Sequence, residues 1–487
     1  MSLTFALSSA LSGLSATSRQ AEVLSSNVAN AATPGYARRE VGLRSAEIAG
    51  VGQGVAVTNI LRDVDRQLLA ERRLAQSGDG DRALRAGFMT RVEQAMGTPD
   101  STGSLAARLA AFDQALVEGA GRPESQARLQ GILNTAGALA SGLASASAEI
   151  QTARSTADRQ IAAEVDKLNS TLARLQEMNG ELRSFSSSGR DVSAFLDERQ
   201  RLIDDIATII PLREIPRDLN QIALFTKGGA MLLEGSAAVF GFSPTNTVTP
   251  EMTQALGGLS GITINGEAYD TAGSASPILG GTLGGLFALR DELAVTAQGK
   301  LDATARDLVE RFSAAGLDPT LAPGAAGLFT DAGAAFQPGD EIGLAARLRV
   351  NPAADPAQGG ALYRLRDGLG ATSEGPPGNG TVLSALHGAL TNPQPLTSTG
   401  FTAGVRSFAA LIGDLMSDGS SHRLAAEADQ SFAAARLTSL SDLEAANGID
   451  TDQEMQALLV IEKNYAANAK VIQTVEEMID ILIRIGA

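Results

Sequence analysis

Few side chains in this sequence have the type and spacing that catalysis or metal binding requires. Its 487 residues include no Cys and only two His, which excludes thiol nucleophiles, disulfides and iron–sulfur clusters and leaves little material for a zinc site. His387 and His422 stand in Gly- and Ser-containing stretches without a partner at ligand spacing, as surface polar residues do. The sequence therefore predicts no enzyme, no cofactor and no metal.

The net charge and the hydrophobic pattern of the sequence argue against nucleic acid and membranes as binding partners. The formal net charge is −16, and basic residues form only short pairs such as Arg38-Arg39 and Arg72-Arg73, so nucleic acid is not expected to bind. No segment is long enough to span a membrane, and the uncharged first 18 residues lack the basic start of a cleavable signal peptide. These features predict a cytoplasmic chain or one exported without a cleavable signal.

The elements that must carry the function are two long helices, one at each end. Residues with alternating three- and four-residue steps form a coiled-coil seam that consists of Leu3, Leu7, Ala10, Leu14, Thr17, Ala21, Leu24 and Val28. Pro34-Gly35 predicts that this helix stops near Asn30. The same alternation recurs in a helix predicted from about Asp452 to Arg484, at Leu458, Ile461, Tyr465, Asn468, Ile472, Val475, Ile479 and Leu482. One narrow seam cannot form a core alone, so the two ends are predicted to pair.

The inner flanks are also predicted to be helical. A seam from Ile161 to Leu182 marks a long helix that begins near Pro123. Shorter helices are predicted over 64–75 and 84–96, with Gly78-Asp79-Gly80 as a breaker between them. Two more are predicted over 405–416 and 424–440.

Between about 211 and 400 the pattern changes to short β-type runs with frequent Gly and Pro. Residues 222–233 read as a hairpin, and Asn265-Gly266 predicts a type I′ turn after a second strand. One helix, about 283–315, interrupts this region. The fold class is therefore mainly α with a β-rich middle. The predicted domains are a terminal coiled coil (1–35 plus 450–487), a helical-bundle inner domain of long helices (36–210 plus 400–449) and an inserted β-rich outer domain (211–399).

Two end motifs carry a family resemblance. Ser12-Gly13-Leu14-Ser15-Ala16, followed by the segment from Ser26-Asn27-Val28-Ala29-Asn30 to Pro34-Gly35-Tyr36, resembles the N-terminal signature of flagellar rod, hook and hook-associated proteins. Tyr465-Ala466-Ala467-Asn468-Ala469 with Met478-Ile479-Asp480 is similar to the tail of the same family. The resemblance implies an axial structural protein of the flagellum.

Interior segments separate the members of that family. Residues 122–128, 197–203 and 284–291 resemble the hook-associated member that lies between hook and filament. The stretch 447–454 loosens the family pattern, and Gly316-Leu317-Asp318 replaces a His-containing stretch expected there. The hook protein or another axial subunit stays open as an alternative. A secreted flagellum-associated hydrolase is disfavoured by the absence of Trp.

The resemblance implies a subunit of the hook–filament junction that is required for filament assembly. It also implies secretion through the flagellar type III export route and four partners: further copies in a ring, the hook protein, a second junction protein on the filament side and a cytoplasmic export chaperone. The predicted assembly interface comprises Leu7, Leu14, Ala21, Leu24, Asn27, Val28, Asn30, Leu458, Ile461, Tyr465, Asn468, Ile472, Val475, Ile479 and Leu482. Asn468 either fixes register within the seam or faces solvent with Ala469 inward, and Tyr465 is expected to pack.

Overall fold

A computed structural model of the chain describes residues 3–48, 51–98, 100–188, 190–273 and 276–486. The helices are α1 (Leu3–Asn30), α2 (Arg66–Met96), α3 (Leu105–Gly121), α4 (Gln126–Ser187), α5 (Ser193–Ile209), α6 (Gly281–Ala288), α7 (Ala294–Phe312), α8 (Leu344–Arg347), α9 (Tyr363–Asp367), α10 (Thr381–Thr391), α11 (Phe408–Ala446) and α12 (Thr451–Gly486). The strands are β1 (Arg39–Ile48), β2 (Val51–Arg62), β3 (Leu212–Pro216), β4 (Ile222–Thr226), β5 (Met231–Glu234), β6 (Ser236–Ala237), β7 (Phe240–Gly241), β8 (Ile262–Ile264), β9 (Glu267–Tyr269), β10 (Phe329–Asp331), β11 (Leu348–Val350), β12 (Gln394–Pro395) and β13 (Val405–Arg406). Mainly α with strands in the middle is the predicted fold class.

The chain forms two compact units. The first comprises Met1–Asp79, Lys167–Val239 and Ala433–Ala487, and the second Gly80–Asp166 and Phe240–Phe432. Both predicted end segments fall in the first unit, together with the hairpin at 222–233. The chain crosses between units inside α2, α4 and α11, at positions other than the boundaries predicted from composition.

In the first unit, α1 contacts both α12 and the antiparallel hairpin β1–β2. A four-stranded antiparallel sheet, β3-β4-β5-β6, is joined to α4 by hydrogen bonds. Asn179 on α4 fixes the start of β4, since its amide donates to the carbonyl of Ile222 at 3.0 Å and accepts from the N–H of Ile222 at 3.3 Å.

The second unit has an aromatic centre, and its helices surround it. The rings of Phe112, Phe312 and Phe329 lie with their centroids 5.1–5.8 Å apart. Between α6 and α7 a π-helical turn, Leu289–Leu293, interrupts the predicted single helix. Its Arg290 is fully buried and donates to Asp158 at 2.6 Å. A π-turn rotates the side chains that follow it around the helix axis, and such turns are frequent at functional sites.

Several predicted boundaries are wrong. Gly78-Asp79-Gly80 does not break α2; each Gly costs about 1 kcal/mol in a helix, and packing on both sides offsets this. Just after the glycines, α6 approaches so closely that a Cβ on Gly285 would lie 3.0 Å from Asp81 Oδ1.

The polar run in the middle of α11 does not end that helix either. Ser420 donates to Glu93 at 2.6 Å, and Arg423 pairs with the same carboxylate at 2.6 Å, so these side chains hold α11 against α2. Pro123 precedes the first residue of α4 by three positions and lies in a turn after α3. The hairpin β1–β2 lies within the predicted domain of long helices, in a stretch for which no helix or strand was predicted.

Two turn predictions are confirmed. Strands β4 and β5 form the predicted hairpin. Asn265 and Gly266 both have positive φ, 54° and 88°, as a type I′ turn requires.

Candidate assembly interface on the terminal helices

The seam between α1 and α12 is built from small residues on one side and branched apolar residues on the other. Ala10 and Thr17 are buried on α1, and Ile461 and Val475 are buried on α12. At the closest approach Gly13 faces Asn468, since a Cβ on Gly13 would lie 2.8 Å from the amide nitrogen of Asn468. A larger residue at this position would require the Asn468 side chain to move.

A second face of α1 holds the hairpin β1–β2. The hydroxyl oxygen of Ser12 accepts from the N–H of Val55 at 3.2 Å and donates to the carbonyl of Ser9 at 2.9 Å. Gly54 adopts φ +97° directly against Ser9 and Ser12, a conformation and a spacing that only glycine tolerates. The Ser12-Gly13 pair thus serves two contacts, Ser12 with the hairpin and Gly13 with α12.

Asn27 is the centre of a buried polar cluster that joins the two ends of the chain. Its amide nitrogen donates to the carbonyl of Arg39 at 2.9 Å and to the Glu454 carboxylate at 3.1 Å. Its oxygen accepts from the N–H of Arg39 and the hydroxyl of Tyr36, both at 3.1 Å. All four contacts use the Asn side chain as donor and acceptor together, which a carboxylate or an aliphatic residue cannot do.

Glu454 reaches this cluster from the first turn of α12. The helix begins after Asp450, whose carboxylate accepts from the N–H groups of Asp452 and Gln453 at 2.9 and 3.1 Å, and a negative charge in the first turn is favoured by the helix dipole. Glu454 is buried and accepts from Arg38 Nε at 2.6 Å. This hydrogen bond raises the pKa of the Arg38 guanidinium above its ordinary value, against the opposing effect of burial.

Asp197 on α5 extends the polar contacts to the base of the hairpin. Its carboxylate accepts from Arg62 Nε at 2.7 Å, from Arg39 and from the N–H of Ala37 at 3.3 Å. The guanidinium of Arg39 also lies 4.4 Å above the ring centre of Tyr36. Both ends of the hairpin are therefore fixed by charged hydrogen bonds, which are stronger than neutral ones.

Beside the seam, and sharing Leu482 with it, α12 carries an apolar stripe that stays exposed among the described residues. Val460, Val471, Met478, Leu482 and Ile485 are separated by 11, 7, 4 and 3 residues, close to whole helical turns, so they share one face. Their side chains are exposed by 44–77%. Phe5 and Leu11 on α1 are exposed as well.

The predicted interface residues fall into three groups. Those that are buried or half-buried along α1 and α12 are Leu7, Leu14, Ala21, Leu24, Val28, Asn30, Leu458, Ile461, Asn468, Ile472, Val475 and Ile479. Tyr465 and Leu482 are exposed in the single chain. Asn27 was predicted to contact a neighbour, but it is fully buried among its own chain's groups, which leaves no surface for another subunit.

Sequence reasoning missed Arg38, Asp197 and Glu454. Arg38-Arg39 was noted only as a short basic pair, and the partners lie far away in the sequence. The one available signal is the helix start, where Asp450 and Gln453 have the spacing of a capping box and Asp452 and Glu454 make the first turn acidic.

Among the described residues, no group of His, Asp and Glu has the geometry to hold a metal ion. No helix there is long and apolar enough to cross a bilayer. Asp113 lies 3.2 Å from His387, and Asp418 lies 3.6 Å from His422.

Three family descriptions match along the chain. The flagellar hook-associated protein FlgK helical domain matches residues 89–326. The basal body rod protein family matches residues 7–36, and the C-terminal family of the rod proteins FlgEFG matches residues 443–485. All three descriptions are of the flagellar rod, hook and hook-associated protein family.

Within that family, the similarity is to flagellar hook-associated protein 1, FlgK. The protein from Escherichia coli is 23% identical over 239 residues, covering 48% of this chain and 43% of the relative. The protein from Salmonella typhimurium is 23% identical over 296 residues, covering 58% and 51%. The chain thus spans about half the length of these relatives. A solved structure of the flagellar hook junction protein FlgK from Burkholderia pseudomallei is 21% identical, covers 54% of this chain and 46% of that one, and has a TM-score of 0.44.

Proposed function

We propose that this protein is a structural subunit of the bacterial flagellum that forms the junction between hook and filament and is required for filament assembly. The observation that carries the proposal is the apolar stripe of α12 (Val460, Val471, Met478, Leu482 and Ile485), exposed on a helix whose other face already pairs with α1. The similarity to flagellar rod, hook and hook-associated proteins suggests that other flagellar subunits cover the stripe. The role is mechanical, without catalysis.

The apolar stripe of α12 is stabilised when another apolar surface covers it. Burying a large apolar side chain contributes about 1.5–3 kcal/mol. Five such side chains on one face form an exposed apolar patch of the kind that marks a contact with another protein. A helix from another subunit fits this shape, because an apolar stripe at helical spacing packs against a second helix. Paired terminal helices from many copies then form the inner wall of a tube.

The partners follow from this arrangement. Copies of the same chain form a ring, the hook protein lies on one side and a second junction protein lies on the filament side. A cytoplasmic chaperone holds the terminal segment before the chain is secreted through the flagellar export route. The sequence similarity to hook-associated protein 1 supports these assignments.

Single charges on the stripe test the proposal. Met478→Glu and Val471→Glu place a carboxylate where a neighbouring helix is to pack, and burying such a charge unpaired is unfavourable. Gln473→Glu is the matched control, since Gln473 is exposed on the same helix outside the stripe. The expected result is that both stripe variants abolish filament growth in a strain lacking the native gene, whereas the control restores it.

Electron microscopy gives the readout. Hooks of normal length without filaments, with flagellin lost to the medium, are expected for the stripe variants and distinguish the junction role from that of the hook protein. Normal filaments in both stripe variants would show that the exposed face of α12 does not contact other subunits. Deleting 452–487 is a coarser test, because it also removes Glu454 from the Asn27 cluster.

A further inference from the structure

The first unit contains a cavity of about 420 Å³ lined by five arginines. It lies where the start of α2, α5 and the turn between β3 and β4 meet, and the arginines are Arg62, Arg66, Arg73, Arg199 and Arg217. Only two acidic residues, Asp63 and Glu214, share the lining. In a chain of net charge −16, this concentration of positive charge is exceptional.

Three of the arginines are neutralised by partners. Arg62 donates to Asp197 at 2.7 Å, and Arg217 pairs with Glu234 at 2.5 Å. Arg73 binds Asp204 at 2.6 Å and Glu214 at 2.8 Å, so Glu214 is already occupied. These ion pairs hold the walls of the cavity together, and Glu214 is not available to pair with another arginine.

The other two, Arg66 and Arg199, have no ion pair with any described residue. Arg199 donates to one acceptor, the carbonyl oxygen of Asn220, although a guanidinium carries five N–H donors. Asp63 is the one acid of the described lining that is not in an ion pair. The free charges around the cavity are therefore two positive and one negative.

Electrostatics at Arg199 reflect this imbalance. Burial is the largest cause that lowers the pKa of its guanidinium; the charge of Glu214 opposes it and the like charges of Arg62, Arg66 and Arg73 add to it, which brings the pKa to about 10. Because Arg199 itself has no ion pair with a described residue, an anion that enters the cavity beside it stabilises its charged form.

The turn that supplies the acceptor for Arg199 is strained. Leu219 and Asn220 have φ values of +55° and +59°, a region that residues other than glycine rarely adopt and that persists chiefly where surrounding structure requires it. The Asn220 amide donates to the hydroxyl of Ser186 at 3.0 Å, which holds the turn at the cavity edge.

We propose that this cavity is a binding site for an oxyanion, held by the guanidinium groups of Arg66 and Arg199. A guanidinium group binds a carboxylate or a phosphate through two parallel N–H···O hydrogen bonds, one to each of two oxygens. The oxyanion comes either from a free small molecule or from an acidic side chain of an adjoining subunit.

Equilibrium dialysis of the full chain against inorganic phosphate tests the site. Arg199→Gln and Arg66→Gln each remove one charge, and binding is expected to weaken by at least about tenfold in each. Arg183→Gln is the matched control, because Arg183 is exposed in the same unit, has no ion pair with a described residue and does not line the cavity. Absence of saturable binding to the parent chain, or equal weakening in Arg183→Gln, would overturn the proposal.

A second arm distinguishes the source of the anion, and it alone depends on the proposed flagellar function. A photo-crosslinking residue at Leu196, which lines the cavity, is irradiated in intact flagella. A crosslink to an adjoining subunit supports an acidic side chain as the ligand, whereas phosphate binding without a crosslink supports a free anion. Because the dialysis uses the isolated chain, it succeeds or fails independently of the assembly experiment on α12.

Discussion

The helices α4 and α12 share an apolar repeat with three- and four-residue steps, yet the apolar face is buried on α4 and largely exposed on α12. On α4 the seam residues Ile161, Leu168, Leu172, Leu175 and Leu182 are completely buried, and no large apolar side chain of that helix is exposed. On α12 the seam is only partly covered, and ten large apolar side chains are exposed. Periodicity thus predicts a helix and its apolar face, but it does not say whether the same chain supplies the partner.

The largest effect that sharpens this contrast is expected at Asp158, on the buried side of α4. Asp158→Ala removes the buried carboxylate that lies 2.6 Å from Arg290 and also accepts from the N–H of Thr245. Arg290 keeps its pair with Asp291, and the loss is expected to be about 3 kcal/mol or more, at the lower end for a broken buried ion pair. Urea unfolding of the full chain measures the loss. Asp166→Ala, at an exposed position of the same helix, is the control and is expected to change little.

A loss of similar or smaller size is expected when a seam side chain of α4 is shortened. Leu175 is completely buried, so Leu175→Ala leaves a cavity and lowers the free energy of unfolding by about 3 kcal/mol. The same denaturation experiment applies. A loss below about 1 kcal/mol would mean that the α4 seam is as loosely packed as α12, and the contrast between the helices would fail.

At the junction of the chain ends, Asn27→Ala is expected to cost about 2 kcal/mol, because it removes the hydrogen-bond partner of the Arg39 backbone groups and of one carboxylate oxygen of Glu454, whose other oxygen keeps Arg38. Asn30→Ala is the matched control, since the Asn30 amide donates only to the Ser26 carbonyl within its own helix. Hydrogen exchange of the backbone amides in α1, β1 and α12 is the measurement. Equal exchange in the two variants would show that the Asn27 cluster contributes no stability.

The smallest effect is expected on the exposed stripe of α12. Met478→Ala removes a side chain that is 47% exposed, and the free energy of unfolding of the monomer should stay within about 0.5 kcal/mol of the parent. A loss comparable with that of Leu175→Ala would show that the stripe is covered within the monomer in solution. That result would remove the reason to place it at a contact between subunits.

Much of the fold followed from the sequence because apolar spacing and turn chemistry are local properties. The bounds of α1 and α12, the hairpin β4–β5 and the turn at Asn265-Gly266 depend on neighbouring residues alone. The failures at Gly78-Asp79-Gly80 and in the middle of α11 share one cause: distant residues such as Glu93 and Gly285 provide contacts that offset poor local helix propensity.

The candidate interface was predictable to a similar extent. The seam residues were identified from spacing, and the pairing of α1 with α12 is confirmed, but their role in assembly stays a prediction. Of the stripe from Val460 to Ile485 only Leu482 was predicted, because the other four side chains lie beside the face of α12 that carries the three- and four-residue spacing. Buried polar contacts such as Arg38 with Glu454 join residues hundreds of positions apart, and nothing in a single sequence pairs them.

The hydrogen bond between Asn27 and Glu454 has a consequence for timing. Its two residues are 427 positions apart, and closing a flexible loop of that length costs on the order of 5 kcal/mol in chain entropy. The cost falls once the intervening residues have folded and shortened the effective loop, so this bond forms last. We therefore expect both ends of the chain to stay unpaired until the interior has folded. Pulse-labelled hydrogen exchange during refolding should therefore find β1 and the first turn of α12 among the last segments to gain protection.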